Sequence, residues 1–147
     1  MPSLNPLLLS SRTSDGYDEV FLSPAVGRRI GGHTMALIAI AIPILPDKME
    51  QWRAFVGELN GGRKRDFQES RRRVGLHERT FLQHTPMGSM VIVTLEGDDP
   101  AGSFAKIFQA DDEFTRWFVQ QVKDTHGFDL TQPMPGPMPE LIADSGA

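Results

Sequence analysis

The sequence predicts an α+β domain, a four-stranded antiparallel sheet with helices on one of its faces. Two observations carry that prediction. One is the apolar, isoleucine-rich run MALIAIAIPI from Met35 to Ile44, and the other is the order of periodicities, strand, helix, strand, strand, helix, strand. The run is too short to cross a membrane and reads as a central strand with apolar cover on both faces. Ile38, Ile40 and Ile42 fall on one face, Leu37, Ala39 and Ala41 on the other.

A chain of 147 residues with 39% apolar and 23% charged positions has room for one domain and enough apolar surface for one core. It contains no cysteine, which removes disulfides, thiolate nucleophiles and Cys-ligated metals, and a cytoplasmic location is the expectation. Charge is unevenly placed. Residues 63–79 hold seven basic side chains against three acidic ones, net +4, so the rest of a chain of net charge −4 carries −8. Such a segment is either a solvated helix face or a patch for an anion or acidic partner.

Residues 1–34, with Pro2, Pro6, Pro24 and Gly31-Gly32, lack sustained periodicity. They read as an N-terminal arm, or as residues preceding a true start at Met35, and the domain is expected to span 35–147. No basic region precedes Leu7 to Leu9, so a secretory signal is not expected. After the first strand, Asp47 stands where a helix N-cap belongs. Met49, Trp52, Phe55 or Val56, and Leu59 then recur at helical spacing up to Asn60-Gly61-Gly62. A weaker helical face, Phe67, Ser70, Arg71 and Val74, runs to Gly75.

His77 to Gln83 and Ser89 to Glu96 flank Thr85-Pro86-Met87-Gly88 and predict a β-hairpin. Pairing symmetric about that turn sets Leu82 and Thr80 against Val91 and Val93. It places His77, Arg79 and Gln83 on one face with Glu96, Thr94 and Met90, whereas a one-residue slip would oppose Glu78 to Glu96. Asp99-Pro100 starts a short helix with Phe104, Ile107 and Phe108 inward. Asp111-Asp112-Glu113 starts a longer one with Phe114, Trp117, Phe118 and Val122 inward, ending at His126-Gly127. Four prolines between 133 and 139 impose an extended path, and Glu140 to Ala143 is the expected fourth, edge strand.

This order is that of the ferredoxin-like fold, with strands one and three central. Helices on one side leave the other side bare and apolar, which predicts a partner. The chain resembles the dimeric α/β-barrel superfamily, in which two such sheets close face to face. The strings Ser70 to Gly75, Phe81 to Gly88, Glu96 to Pro100, Trp117-Phe118 and Pro135 to Leu141 resemble a family of small bacterial proteins within it, over roughly residues 36–143. The resemblance implies a homodimer, but it covers monooxygenases, isomerases, haem enzymes and plain ligand binders alike and selects no chemistry.

No motif fixes a reaction. His77, Arg79 and Glu96 converge on one sheet face as candidate base, cation and carboxylate; the plain alternative is a cross-strand ion pair. The candidate ligand contacts are Arg79, Gln83, His84, Trp52 and Trp117, although aromatics at helical spacing more often form core. Arg71, Arg72 and Arg73 cannot share a helix face, since successive residues turn by about 100°. His126 is placed where an imidazolium would favour a helix C-terminus, no histidine pair has metal-ligand spacing, and no cofactor is expected. The functional expectation is a homodimer that binds or transforms a small organic molecule between sheet and helices, monooxygenase- or isomerase-like by resemblance alone. The alternative is an interaction or regulatory module using the basic 63–79 segment. Neither a nucleic acid nor a membrane is an expected partner, the central strands lacking the aromatics an RNA-recognition sheet displays.

Overall fold

The computed structural model of the chain describes residues 28–30 and 33–146; the expected arm, apart from the few positions noted next, lies outside them. The elements are β1 (Arg28–Ile30), β2 (His33–Pro43), α1 (Met49–Asn60), α2 (Lys64–Arg72), β3 (His77–Thr85), β4 (Gly88–Gly97), α3 (Pro100–Ile107) and α4 (Glu113–His126). Three long antiparallel strands form an open sheet in the order β2-β4-β3. β1 adds a three-residue pairing to the outer edge of β2, Arg28 opposite Met35 and Ile30 opposite His33. β2 therefore starts at His33, two residues ahead of the apolar run, and from Ala36 onward it pairs on one side only, with β4, so the expected central strand lies at the sheet's edge over most of its length.

The fourth strand expected at Glu140 to Ala143 does not form. That stretch has no strand pairing, and Leu141 and Ile142 are exposed. The prolines before it remove backbone donors and hold the chain on an extended path that does not return it to the sheet edge.

The hairpin adopts the symmetric register, with Thr80 opposite Val93, Leu82 opposite Val91 and His77 opposite Glu96. Gly88 takes φ 124°, a backbone setting that glycine reaches without a Cβ clash. The register decides which residues face the helices. Ile38, Ile40, Ile42, Val91, Val93, Leu95, Glu78, Thr80 and Leu82 lie on the covered side, and Val91 and Leu95 are sealed in the core.

Against that side pack Trp52, Phe55 and Leu59 of α1, Ile107 of α3, and Phe114, Phe118 and Val122 of α4. Phe55 meets Trp117 and Phe118 edge to face, with ring centroids 5.4 and 5.3 Å apart, the arrangement that sets ring edges against ring faces. Trp52 and Phe118 thus form core, and Trp117 is half-buried at its margin.

Two of the three expected N-caps form. Asp99 accepts from Gly102 N–H at 3.1 Å and Asp112 from Thr115 N–H at 2.7 Å, and α4 ends on left-handed Gly127. Asp47 is not a cap. It adopts φ 64°, and the cap position of α1 belongs to Lys48, whose side chain makes no capping bond. The turn after Pro46 brings Lys48 N–H onto the Leu45 carbonyl, which carries Asp47 past the position from which it would reach the first-turn amides.

Candidate functional site

Three consecutive arginines at the end of α2 show what helical geometry does with a basic run. Arg72 points out and pairs with Glu69 at 2.8 Å, both exposed, and Arg73 lies 3.6 Å from the Asp112 cap. Arg71 turns inward. Its side chain is 6% exposed, and its Nε donates to Glu78 Oε2 at 2.6 Å, the glutamate being 7% exposed. Nη1 donates to Ser70 Oγ at 2.9 Å, and that hydroxyl in turn donates a hydrogen bond to the Phe67 carbonyl at 3.0 Å. The guanidinium lies over the rings of Phe67 and Phe118, 4.9 and 4.5 Å from their centroids. Hydrogen bonds along its edge and aromatic rings against its plane hold it in one orientation.

Glu78 reaches this place because it falls on the covered side of β3, opposite Leu95. A carboxylate among Leu76, Leu95 and aromatic rings is costly to bury alone, and breaking such a pair by removing one partner costs about 3–5 kcal/mol. Replacing both partners by apolar groups is often neutral, so stability alone does not account for the pair.

The pair stands between two spaces. Outward lies a half-open groove of about 570 Å³ at the end of the sheet where β3 starts and β4 ends, walled by Leu59, Phe67 and Leu76, with Lys64 and Arg72 on its exposed rim. Inward lies a cavity of about 60 Å³ under the helices, bounded by Trp52, Phe118 and Val122. Arg71 and Glu78 line both. A water occupies about 30 Å³ and ligand pockets run from about 300 Å³ upward, so the inner space is water-sized and the groove is ligand-sized.

On the opposite, open face, Arg79 donates to Glu96 Oε2 at 3.1 Å, with His77 across from Glu96. The three residues converge as expected, but on an exposed surface. Thr94, opposite Arg79, has a hydroxyl oxygen that is shielded and lacks a partner among the described residues. Gln83 shares this face nearer the turn, where its amide donates to the His84 carbonyl at 3.4 Å. His84 itself is exposed, with Nδ1 2.8 Å from Ser89 Oγ. The five expected ligand contacts are therefore not brought together. Arg79 and Gln83 lie on one side of the sheet, Trp52 and Trp117 on the other, and His84 near the hairpin tip.

Trp117 instead carries the guanidinium of Arg63, 4.3 Å from its ring centroid. That arginine forks onto Glu113 with bonds of 2.8 and 2.9 Å, which lowers the Glu113 pKa and raises that of Arg63. With Arg71, Arg72, Arg73 and Arg79, five of the seven basic residues of the 63–79 segment have a carboxylate within 4 Å.

The histidine at the end of α4 behaves differently from the sequence expectation. Burial pushes its pKa down, partly offset by the bond from Nδ1 to the Pro43 carbonyl at 2.8 Å, so a neutral ring rather than an imidazolium is favoured at the helix terminus. Among the described residues no group of three or more metal-ligating side chains is placed to hold an ion, and no helix is long and apolar enough to cross a membrane.

Sequence reasoning weighed Arg71 only within its run and missed Glu78 as its partner. The signal was present: the register that puts Leu82 and Thr80 toward the core also puts Glu78 there, and an inward carboxylate requires a cation. No family model, no curated protein and no solved structure matches the chain.

Proposed function

We propose that the protein binds a small organic molecule in the groove between sheet and helices, and that it does so as a homodimer with the ferredoxin-like architecture of a dimeric α/β barrel. One observation carries the binding reading: a desolvated, hydrogen-bonded ion pair forms the inner wall of a ligand-sized groove. A buried polar group that converges on such a space is the usual mark of a binding site. The dimer reading rests on the apolar open sheet face. A module acting through its basic segment is less well supported, because five of those seven charges are already neutralised by neighbours.

The test is a fragment screen read by amide chemical shifts on the full chain. Binders are expected to move Phe67, Gln68, Leu76 and His77. Shifts confined to Phe81, Ile92 and Ala41 would place the site on the open face and overturn the reading.

A further inference from the structure

The guanidinium of Arg71 is held at two of its three nitrogens, Nε by Glu78 and Nη1 by Ser70. Its third nitrogen, Nη2, has no hydrogen-bond partner among the described residues and is not among the sealed atoms that lack one. A charged donor fixed in direction by two hydrogen bonds and two aromatic rings, yet left open at one edge, is preorganised for an acceptor from outside the chain. Arg71 lines both the groove and the inner cavity, and of the two only the groove has room for an organic ligand, with Leu59, Phe67 and Leu76 as its apolar wall and Lys64 and Arg72 at its rim.

We propose that this groove takes a small monoanionic carboxylate with an apolar body, its carboxylate on Arg71 Nη2 and its body against Leu59, Phe67 and Leu76, with Lys64 at the rim drawing the anion in. The inference rests on the small-molecule reading above and names its ligand class.

The charge of the ligand follows from the groove's own acids. Glu78 and Glu96 line it alongside Arg71, Arg72 and Lys64, so the local balance is only slightly positive. A monoanion meets that balance. A dianion would double the repulsion from two carboxylates while gaining no further anchored donor. A neutral analogue keeps the apolar contact but gives up the charge-assisted bond to Nη2. Losing that bond weakens binding about tenfold to hundredfold.

The experiment titrates the labelled full chain with phenylacetate and octanoate, with phenylacetamide as the neutral match and inorganic phosphate as the dianionic one. Carboxylates are expected to shift Gln68, Leu76 and His77 in a saturable way, phenylacetamide to bind at least about tenfold more weakly, and phosphate to leave these amides in place.

Arg71→Met alone strands Glu78 and endangers the fold, so the informative variant is Arg71→Met with Glu78→Met, which removes both charges. It is expected to stay folded and lose carboxylate binding, whereas Phe81→Ala, on the open face and outside the groove, is expected to keep it. Carboxylate affinity surviving in the double variant, or lost in Phe81→Ala, overturns the assignment. Equal affinity for phenylacetamide overturns the anionic class and leaves the small-molecule reading standing. Tighter binding of phosphate replaces the carboxylate by a phosphate ligand. A groove unmoved by any probe at millimolar concentration overturns both readings.

Discussion

A half-buried imidazole at the end of α4 ties the stability of the protein to pH. His126 donates from Nδ1 to the Pro43 carbonyl, joining the last turn of the helix to the end of β2. Burial lowers its pKa below the ordinary value of 6.5, so the unfolded chain takes up a proton that the folded chain resists. Stability from this residue is complete above about pH 6.5 and declines as the pH falls below it, because protons then favour the unfolded state. The lowered carboxyls of Asp112, Glu113 and Asp129 act in the same direction but only near the carboxylate range, so the two windows separate. We expect urea midpoints to fall between pH 6.5 and 5, and His126→Asn, which retains a donor for Pro43, to flatten that slope. An unchanged slope in the variant would assign the pH dependence to other groups.

At the scale of elements, the two aspartates expected to start helices offer a matched contrast. Asp112 accepts from Thr115 N–H, while Asp47 sits at positive φ and accepts nothing from its helix. Asp112→Ala should cost about 1 kcal/mol, which for a chain of this size lowers the melting temperature by about 2–4 °C. Asp47→Gly should cost nothing or raise it, since glycine takes that φ without strain. Equal losses in thermal melts would mean that Asp47 caps α1 after all. The contrast also shows where local sequence is a sufficient guide. Asp99-Pro100, Asp112 and Gly127 act through neighbours within a few residues, and each was legible in the sequence. The hairpin register was legible only in part, because symmetry about the turn favours the observed pairing while a one-residue slip is disfavoured only by opposing Glu78 to Glu96. Asp47 and the Glu140 to Ala143 segment depend on where the chain is carried in space, by a turn after Pro46 in one case and a proline-stiffened tail in the other. Arg71 and Glu78 lie between these limits. Helical rotation says that one arginine of the run turns inward, but only the strand register names the carboxylate that meets it.

At the scale of the whole molecule, the sheet has a covered and an uncovered side, and the uncovered one is apolar along its middle. Leu37 is 51% exposed and Phe81 52%, with Ala39 and Ala41 exposed between β2's ends and Ile92 beside them on β4. A second copy laid on this face would bury those side chains, and small residues on β2 would let the two sheets approach closely. The charged end of the face suits the same occupant. Arg79 and Glu96 already neutralise one another within a copy, so two copies meet there without net repulsion. Burying the apolar strip returns roughly 25 cal/mol for each Å² removed from water, whereas a lone carboxylate placed in the strip would lose its hydration without gaining a partner. Ala39→Glu and Ala41→Glu are therefore expected to convert a dimer into a monomer while leaving the fold intact, because both positions face away from the helices. Light scattering at micromolar concentration reads the result directly. A wild-type chain that is already monomeric there removes the barrel, and a dimer that survives both substitutions places the interface elsewhere. The pair of Arg71 with Glu78 lies on the other side of the sheet and the groove at its end, so a monomeric variant that still binds the same fragments would show that the ligand site belongs to one copy alone.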